Sequence, residues 1–267
     1  MRRIQPLSLH RKFMLLMVLV TMGLTALMQC TAAPSPTHVL HVYAASSLTE
    51  CFGEIEADFE AAHPDIDVRL TFAGSQTLRM QIEHGAPAQV FASANARHLD
   101  TLADQGLVDR SERFAQNGLA LVTPSDNPFK ITGFQDLPRV KNLVLGIAAS
   151  PIGEYTDALL RRADGVLGRG FSEDVRARIV SREVNTRLVL AKVILGAVDA
   201  AIVYRTDALS TDAVVSFEPP SALSVEIQYQ QGLIRRQVVS DQAELWMAHV
   251  LSDEGLSTLV AHGFGAP

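Results

Sequence analysis

From Val39 to His262 the chain alternates short apolar runs with amphipathic ones, and few folds satisfy that rhythm. Val39–Ala44 and Asp67–Phe72 read as strands. Between them, Thr49–Ala62 places Phe52, Ile55, Phe59 and Ala62 at helical spacing, and His63-Pro64 stops it. The same reading gives helices at Thr77–Glu83, Ala96–Asp104, Glu154–Ala163, Thr186–Leu195, Ser240–Leu251 and Glu254–His262. It gives strands at Gln89–Ala92, Leu119–Thr123, Leu143–Ala148 and Ala200–Tyr204. Repeated strand-then-helix units predict an α/β protein with mostly parallel sheets covered by helices on both faces. A second lobe is expected over 117–206, with 39–116 and 207–267 forming the first. No internal repeat is visible.

The N-terminus reads as a targeting segment over 1–33. Arg2, Arg3, Arg11 and Lys12 form a basic start, and the apolar stretch Phe13 to Met28 is 16 residues long. That is shorter than the ~20 residues a spanning helix needs. Thr31, Ala32 and Ala33 suit cleavage after Ala33, leaving 34–38 as a linker. Leu27-Met28-Gln29-Cys30 also resembles a lipoprotein box, with Gln29 where a small residue is usual. Both readings, and a third in which the segment stays as an anchor, put the rest of the chain outside the cytoplasm. The only other cysteine is Cys51, so no disulfide is expected within the mature fold. Net charge is −6 with no basic stripe, which argues against a nucleic-acid partner. An anionic ligand would have to be held by local donors, because the global field does not attract it.

Two turns offer such donors. Tyr43-Ala44-Ala45-Ser46-Ser47-Leu48 and Phe72-Ala73-Gly74-Ser75-Gln76-Thr77-Leu78 each run from a strand into a small, hydroxyl-rich turn and then a helix. Helix N-termini carry unpaired N–H groups and partial positive charge. Two facing each other make an anion site that needs no Lys or Arg. Capture of a small oxyanion, not its transformation, is the expectation.

Five segments in order resemble the periplasmic molybdate-binding proteins of ABC importers, over about Val39 to Phe264. They are Ala44 to Leu48; Gly85-Ala86-Pro87-Ala88-Gln89-Val90-Phe91, with Gln89 for the usual Asp; Asn117-Gly118-Leu119; Asp199 to Ala208, with Ala201 for the usual Gly; and His262-Gly263-Phe264. The resemblance implies a two-lobe type II periplasmic binding protein fold with the ligand in the cleft. It implies an anion held by Ser47 and the Ala45 amide, by Ser75, by the amides of Ile152 and Val184, and by the Tyr204 hydroxyl. Ile152 lies in Pro151-Ile152-Gly153-Glu154-Tyr155, preceded by a stretch shorter than the family pattern. The implied function is capture of molybdate, and of tungstate, for a membrane-embedded ABC permease. A monomer without cofactor is expected.

Other residues are read as structural. Gly85-Ala86-Pro87 turns the chain, Cys51 is a buried apolar residue, and His98 and His249 are surface or core. Glu50, Glu154 and Glu183 are expected to face away from a dianion. A serine hydrolase is disfavoured because no Gly-x-Ser-x-Gly elbow occurs. The alternatives kept are another oxyanion such as sulfate, or ferric iron. Iron would want clustered tyrosines, His or carboxylates; of the four tyrosines only Tyr155 and Tyr204 map near the site.

Overall fold

The computed structural model describes residues 37–235 and 240–267. The expected export signal, both cleavage points and Cys30 lie outside the described residues. Chain order is β1 (His38–Ala45), α1 (Thr49–Ala62), β2 (Ile66–Ala73), α2 (Ser75–Glu83), β3 (Val90–Ser93), α3 (Ala96–Asp104), β4 (Val108–Asn117) and β5 (Leu119–Pro124). Then come β6 (Leu143–Gly146), α4 (Pro151–Val166), α5 (Phe171–Arg176), β7 (Ile179–Glu183), α6 (Thr186–Ile194), β8 (Ala200–Tyr204) and α7 (Arg205–Leu209). The chain ends with β9 (Val214–Phe217), β10 (Ile227–Ile234), α8 (Asp241–Val250) and α9 (Asp253–Ala261).

The strands form two five-stranded sheets, ordered β2-β1-β3-β10-β4 and β7-β6-β8-β5-β9. In the first, β1 pairs in parallel with β2 and β3, while β10 runs antiparallel to β3 and β4. In the second, β6 is parallel to β7 and β8, and β5 antiparallel to β8 and β9. Each sheet therefore has four strands running one way and one reversed strand next to an edge. The expected mostly parallel sheets are present, in two copies of one topology. The reversed strands β5 and β10 are the ones that follow a crossing between sheets: β5 directly after β4 through Gly118, β10 after β9.

That pairing moves one boundary. The return to the first lobe was expected at 206/207, but β9 pairs with β5, with Leu121 opposite Phe217. The second sheet thus runs on to Phe217, and the return falls between 218 and 226. Strand β9 is four residues long, too short for its alternation to stand out. Three longer strands, β4, β7 and β10, were also missed. Strand β4 (Val-Asp-Arg-Ser-Glu-Arg-Phe-Ala-Gln-Asn) is an edge strand with a largely polar face. Strand β10 buries Ile227, Tyr229 and Gln231 in alternation with half-buried Gln228 and Gln230, and then buries Gly232, Leu233 and Ile234 in a row. Buried Gln231 donates through Nε2 to the Met247 carbonyl (2.9 Å), while its Oε1 has no partner among the described residues.

The first core is aromatic. Helix α1 buries Cys51, Phe52, Ile55 and Phe59; of the face its spacing predicts only Ala62, the last residue of the helix, is exposed. Against it α8 presents Ala243, Trp246, Met247 and Val250, again at helical spacing. Phe52 and Phe59 meet the Trp246 ring edge-on at 5.7 and 5.3 Å. Burying each such ring contributes roughly 1.5–3 kcal/mol.

Candidate functional site

Where α/β strands end, their carboxyl ends and the following helix N-termini face one crevice. Here the ends of β1, β2, β6, β7 and β8 converge with the starts of the helices that follow them. They enclose a cavity of about 20 Å³, walled by Ala45, Ser46, Ser47, Ala73, Gly74, Ser75 and Ala94 from one side, and by Ser150, Pro151, Ile152, Val184, Asn185, Thr186 and Tyr204 from the other. All six residues singled out in the sequence line it. The volume is slightly more than the ~10–15 Å³ a single water needs, and far below the ~300 Å³ of organic-ligand pockets.

Local sequence explains each half. Ala45 ends β1, and Ser46–Leu48 form a turn of 3-10 helix leading into α1. Gly74 precedes α2 with extended backbone, so Ser75 is the first residue of that helix. In the second lobe Ser150 caps α4: its hydroxyl accepts from Gly153 N–H (3.3 Å) and donates to the Ile147 carbonyl (2.7 Å). Pro151 takes the first helical position, where its missing N–H costs nothing. Only glycine fits at 153, because an added Cβ would lie 2.0 Å from the Ile147 oxygen. Asn185 caps α6 by accepting from Leu188 N–H (3.0 Å). The caps Ser150 and Asn185 escaped the sequence assignment of the site, although serine before proline and asparagine before a helix are readable cap signals.

Among the described residues, no charged side chain lines the cavity. Ser47, Ser75, Ile152 and Tyr204 are almost fully buried, while the Val184 side chain is 45% exposed and offers only backbone inward. Ser75 Oγ accepts from Ala94 N–H (3.1 Å), so its own hydrogen is left to donate. The Tyr204 hydroxyl makes no hydrogen bond among the described residues. Burial, reinforced by Tyr229, Tyr155 and Asp207, pushes its pKa well above the usual 10, so it remains a donor. The expected outward carboxylates are all engaged elsewhere: Glu50 with Arg187, Glu154 with Arg97 (3.1 Å), Glu183 with Lys192 (2.5 Å).

The lobes meet around the cavity. Gln76 Nε2 donates to the Val184 carbonyl (2.6 Å), Arg97 to that of Ala149 (3.3 Å), and Tyr155 to that of Ala94 (3.4 Å). Arg187 of α6 donates to the Ser46 carbonyl (3.3 Å), pairs with Glu50, and lies 3.0 Å from buried Asp207. Burial raises the Asp207 pKa to about 6, against the lowering effects of Arg187 and the Thr186 hydroxyl. A larger cavity of 270 Å³ shares only Ser47 and is lined by Glu50, Cys51, His262 and Phe264 among others. Its carboxylate suits it poorly to an anion.

Cys51 is buried, bonded to the Leu48 carbonyl, and its pKa is pushed up by burial, which makes it a packing residue. His98 is also core, its pKa lowered to about 4 mainly by burial.

The family profile of bacterial extracellular solute-binding proteins matches residues 40–265. A molybdate-binding protein ModA of Mycobacterium tuberculosis is 35% identical over 229 residues, covering 85% of this chain and 84% of that one. The periplasmic molybdate-binding protein of Azotobacter vinelandii shares the fold with a TM-score of 0.72 at 19% identity, over 85% of this chain and 99% of that one. The sulfate-binding protein SubI of M. tuberculosis shares it equally, with a TM-score of 0.75 at 15% identity over 85% and 86% of the chains. With a matching profile over nearly the whole described chain and two mixed sheets closing on one crevice, the chain belongs to the bacterial extracellular solute-binding proteins.

Proposed function

We propose that this protein captures molybdate, and tungstate, outside the cytoplasm and delivers it to a membrane-embedded ABC permease. One observation carries the reading: a buried Tyr204 hydroxyl with no hydrogen-bond partner among the described residues, on the wall of a small cavity lined by neutral donors and helix N-termini. An unmet buried hydroxyl costs about 1–3 kcal/mol, and an oxyanion oxygen would satisfy it. The ligand set is Ser47, Ser75 and Tyr204 through hydroxyls, with the amides of Ala45, Ile152 and Val184. Hydrogen bonds to a charged acceptor contribute roughly 1.5–3 kcal/mol each. Six of them exceed the several kcal/mol lost on association, enough for submicromolar affinity.

The 35% identity to molybdate-binding proteins supports this ligand over sulfate, since the fold alone is common to binders of both. Ferric iron fits poorly, because no carboxylate or His among the described residues lines the cavity. Calorimetry decides it. Molybdate and tungstate should bind at least ~100-fold tighter than sulfate, a gap of about 2.7 kcal/mol. Equal affinity for sulfate would overturn the ligand assignment, and binding of ferric citrate alone would overturn the oxyanion reading.

The periplasm is the proposed compartment, reached through the 1–33 signal, with lipidation at Cys30 as the alternative to soluble release. Mass spectrometry of the protein from its host should find a start at Pro34 or a diacylated Cys30. An intact Met1 on cytoplasmic protein would count against export.

A further inference from the structure

Tyr229 belongs to no part of the ligand set, yet its hydroxyl touches one member of it. Ser47 Oγ and Tyr229 Oη lie 2.8 Å apart, both buried. Distance alone leaves the direction of that hydrogen bond open. The neighbours close it. Asn117 Oδ1 accepts from Gly118 N–H (2.8 Å), and a backbone N–H can only donate. The amide orientation is therefore fixed with Nδ2 on the other side. From there it donates to Thr206 Oγ1 (3.0 Å) and to Tyr229 Oη (3.3 Å).

Tyr229 Oη thus accepts from Asn117, and its own hydrogen must find an acceptor. Ser47 Oγ supplies one. In the reverse direction the phenol hydrogen could turn only toward the neighbouring Tyr204 oxygen, which makes no hydrogen bond of ordinary length, at a cost of up to about 1–3 kcal/mol. The ring cannot swing away, because Phe114, Tyr204 and Phe264 hold it edge-on at 6.1, 5.8 and 5.3 Å. With one lone pair taken by the Tyr229 hydrogen, Ser47 keeps its own hydrogen free to donate to the cavity. The second serine reaches the same polarity by simpler means, since Ser75 Oγ accepts from the Ala94 N–H.

We infer that Tyr229, oriented by Asn117, is a positioning residue that fixes Ser47 as a donor and biases the site against oxyanions that carry a proton. This rests on the oxyanion reading above. A protonated anion needs an acceptor, and the relay Asn117 to Tyr229 to Ser47 takes one of the two Ser47 lone pairs and leaves the hydroxyl hydrogen to meet the anion. Asn117 also sits where the chain crosses between the sheets and bonds Thr206 at the start of α7, so the crossing and the serine share one hydrogen-bond chain.

The test compares wild type, Tyr229→Phe and Asn117→Asp in mildly alkaline buffer, where inorganic phosphate is the monohydrogen dianion. Sulfate is the proton-free probe of equal charge. Each affinity is read by displacement of bound molybdate in calorimetry, with apo melting temperatures alongside. Tyr229→Phe deletes the relay. Asn117→Asp reverses it: one oxygen still accepts from Gly118 N–H, the other now accepts from Tyr229, and Ser47 is left facing the cavity with a lone pair. Both variants should shift the sulfate-to-phosphate ratio toward phosphate, by about tenfold for the reversal and less for the deletion. The added charge in Asn117→Asp weakens both dianions alike and cancels in the ratio. A Tyr229 that only packs would weaken all anions together, and an unmoved ratio in the two variants overturns the inference. If Tyr229→Phe melts early, the ratio in Asn117→Asp decides. Failure of wild type to bind molybdate would instead overturn the oxyanion reading.

Discussion

Ser47, Ser75 and Tyr204 line the cavity, and each can lose its hydroxyl with little change in shape. Ser47→Ala, Ser75→Ala and Tyr204→Phe should each weaken molybdate binding by about 1–3 kcal/mol. Calorimetry with the melting temperature of each apo variant checks this. Near-native melting with weakened binding is expected; wild-type affinity in all three would place the ligand elsewhere. The outcome for Tyr204→Phe is sharpest, because its oxygen has no other partner among the described residues and its loss should not destabilise the apo protein. Asp207 makes a different prediction. Its pKa rises from 3.8 to about 6, so between those values the folded state holds a proton that the unfolded state has released. Its contribution to stability therefore falls as pH rises from about 4 to 6 and is level above, by about 3 kcal/mol in all. His98, lowered to about 4, acts in the opposite sense: the unfolded chain takes up its proton below about 6.5, so stability is lost as pH falls. The clean readout is a difference. The stability of Asp207→Asn minus that of wild type, from apo denaturant titrations, should rise across pH 4 to 6; a flat difference refutes it.

At the scale of elements, the contact of α2 with the segment joining β7 to α6 sets how far the lobes close. Gly74 has extended backbone that alanine adopts without strain, but an added Cβ would lie 2.5 Å from the Val184 carbonyl of the other lobe. Gly74→Ala should therefore wedge the closed form and spare the open one. Binding should weaken at least about tenfold while the apo melting point stays put, since only the state favoured by ligand is penalised. Unchanged affinity would mean that the seam yields. Much of this scale was legible. Helix α3 matched its expected bounds, and α1 followed from Phe52, Ile55 and Phe59 at helical spacing. Strand β4 was not legible, since as a polar edge it lacks the apolar alternation that marks a half-buried strand. Strand β9 was hidden by its brevity, and with it the true point of return between lobes.

At the scale of the molecule, the two sheets carry one topology, and the cavity lies where their strand ends oppose each other. Ligand that bridges both halves should stabilise the native state by mass action. At a molybdate concentration about 1,000-fold above Kd the gain is about 4 kcal/mol, visible as a raised melting temperature. Sulfate at the same concentration should raise it far less, and an equal rise would contradict the selectivity proposed. The sequence by itself determined the alternation of strand and helix, the apolar faces that must be covered, and the small hydroxyl-rich turns at Ser47 and Ser75. These are local: periodicity and capping act within a few residues, so they are written in the order of the chain. Tertiary structure decided what depends on distant groups meeting. It decided that the Tyr204 hydroxyl is left without a hydrogen-bond partner among the described residues, while Tyr229, 182 residues from Ser47, is bonded to that serine. It decided that Arg187 joins Ser46, Glu50 and Asp207, and that burial lifts the pKa of Asp207. Burial and hydrogen-bond direction are properties of the surroundings, and no residue carries its surroundings in its own position along the chain.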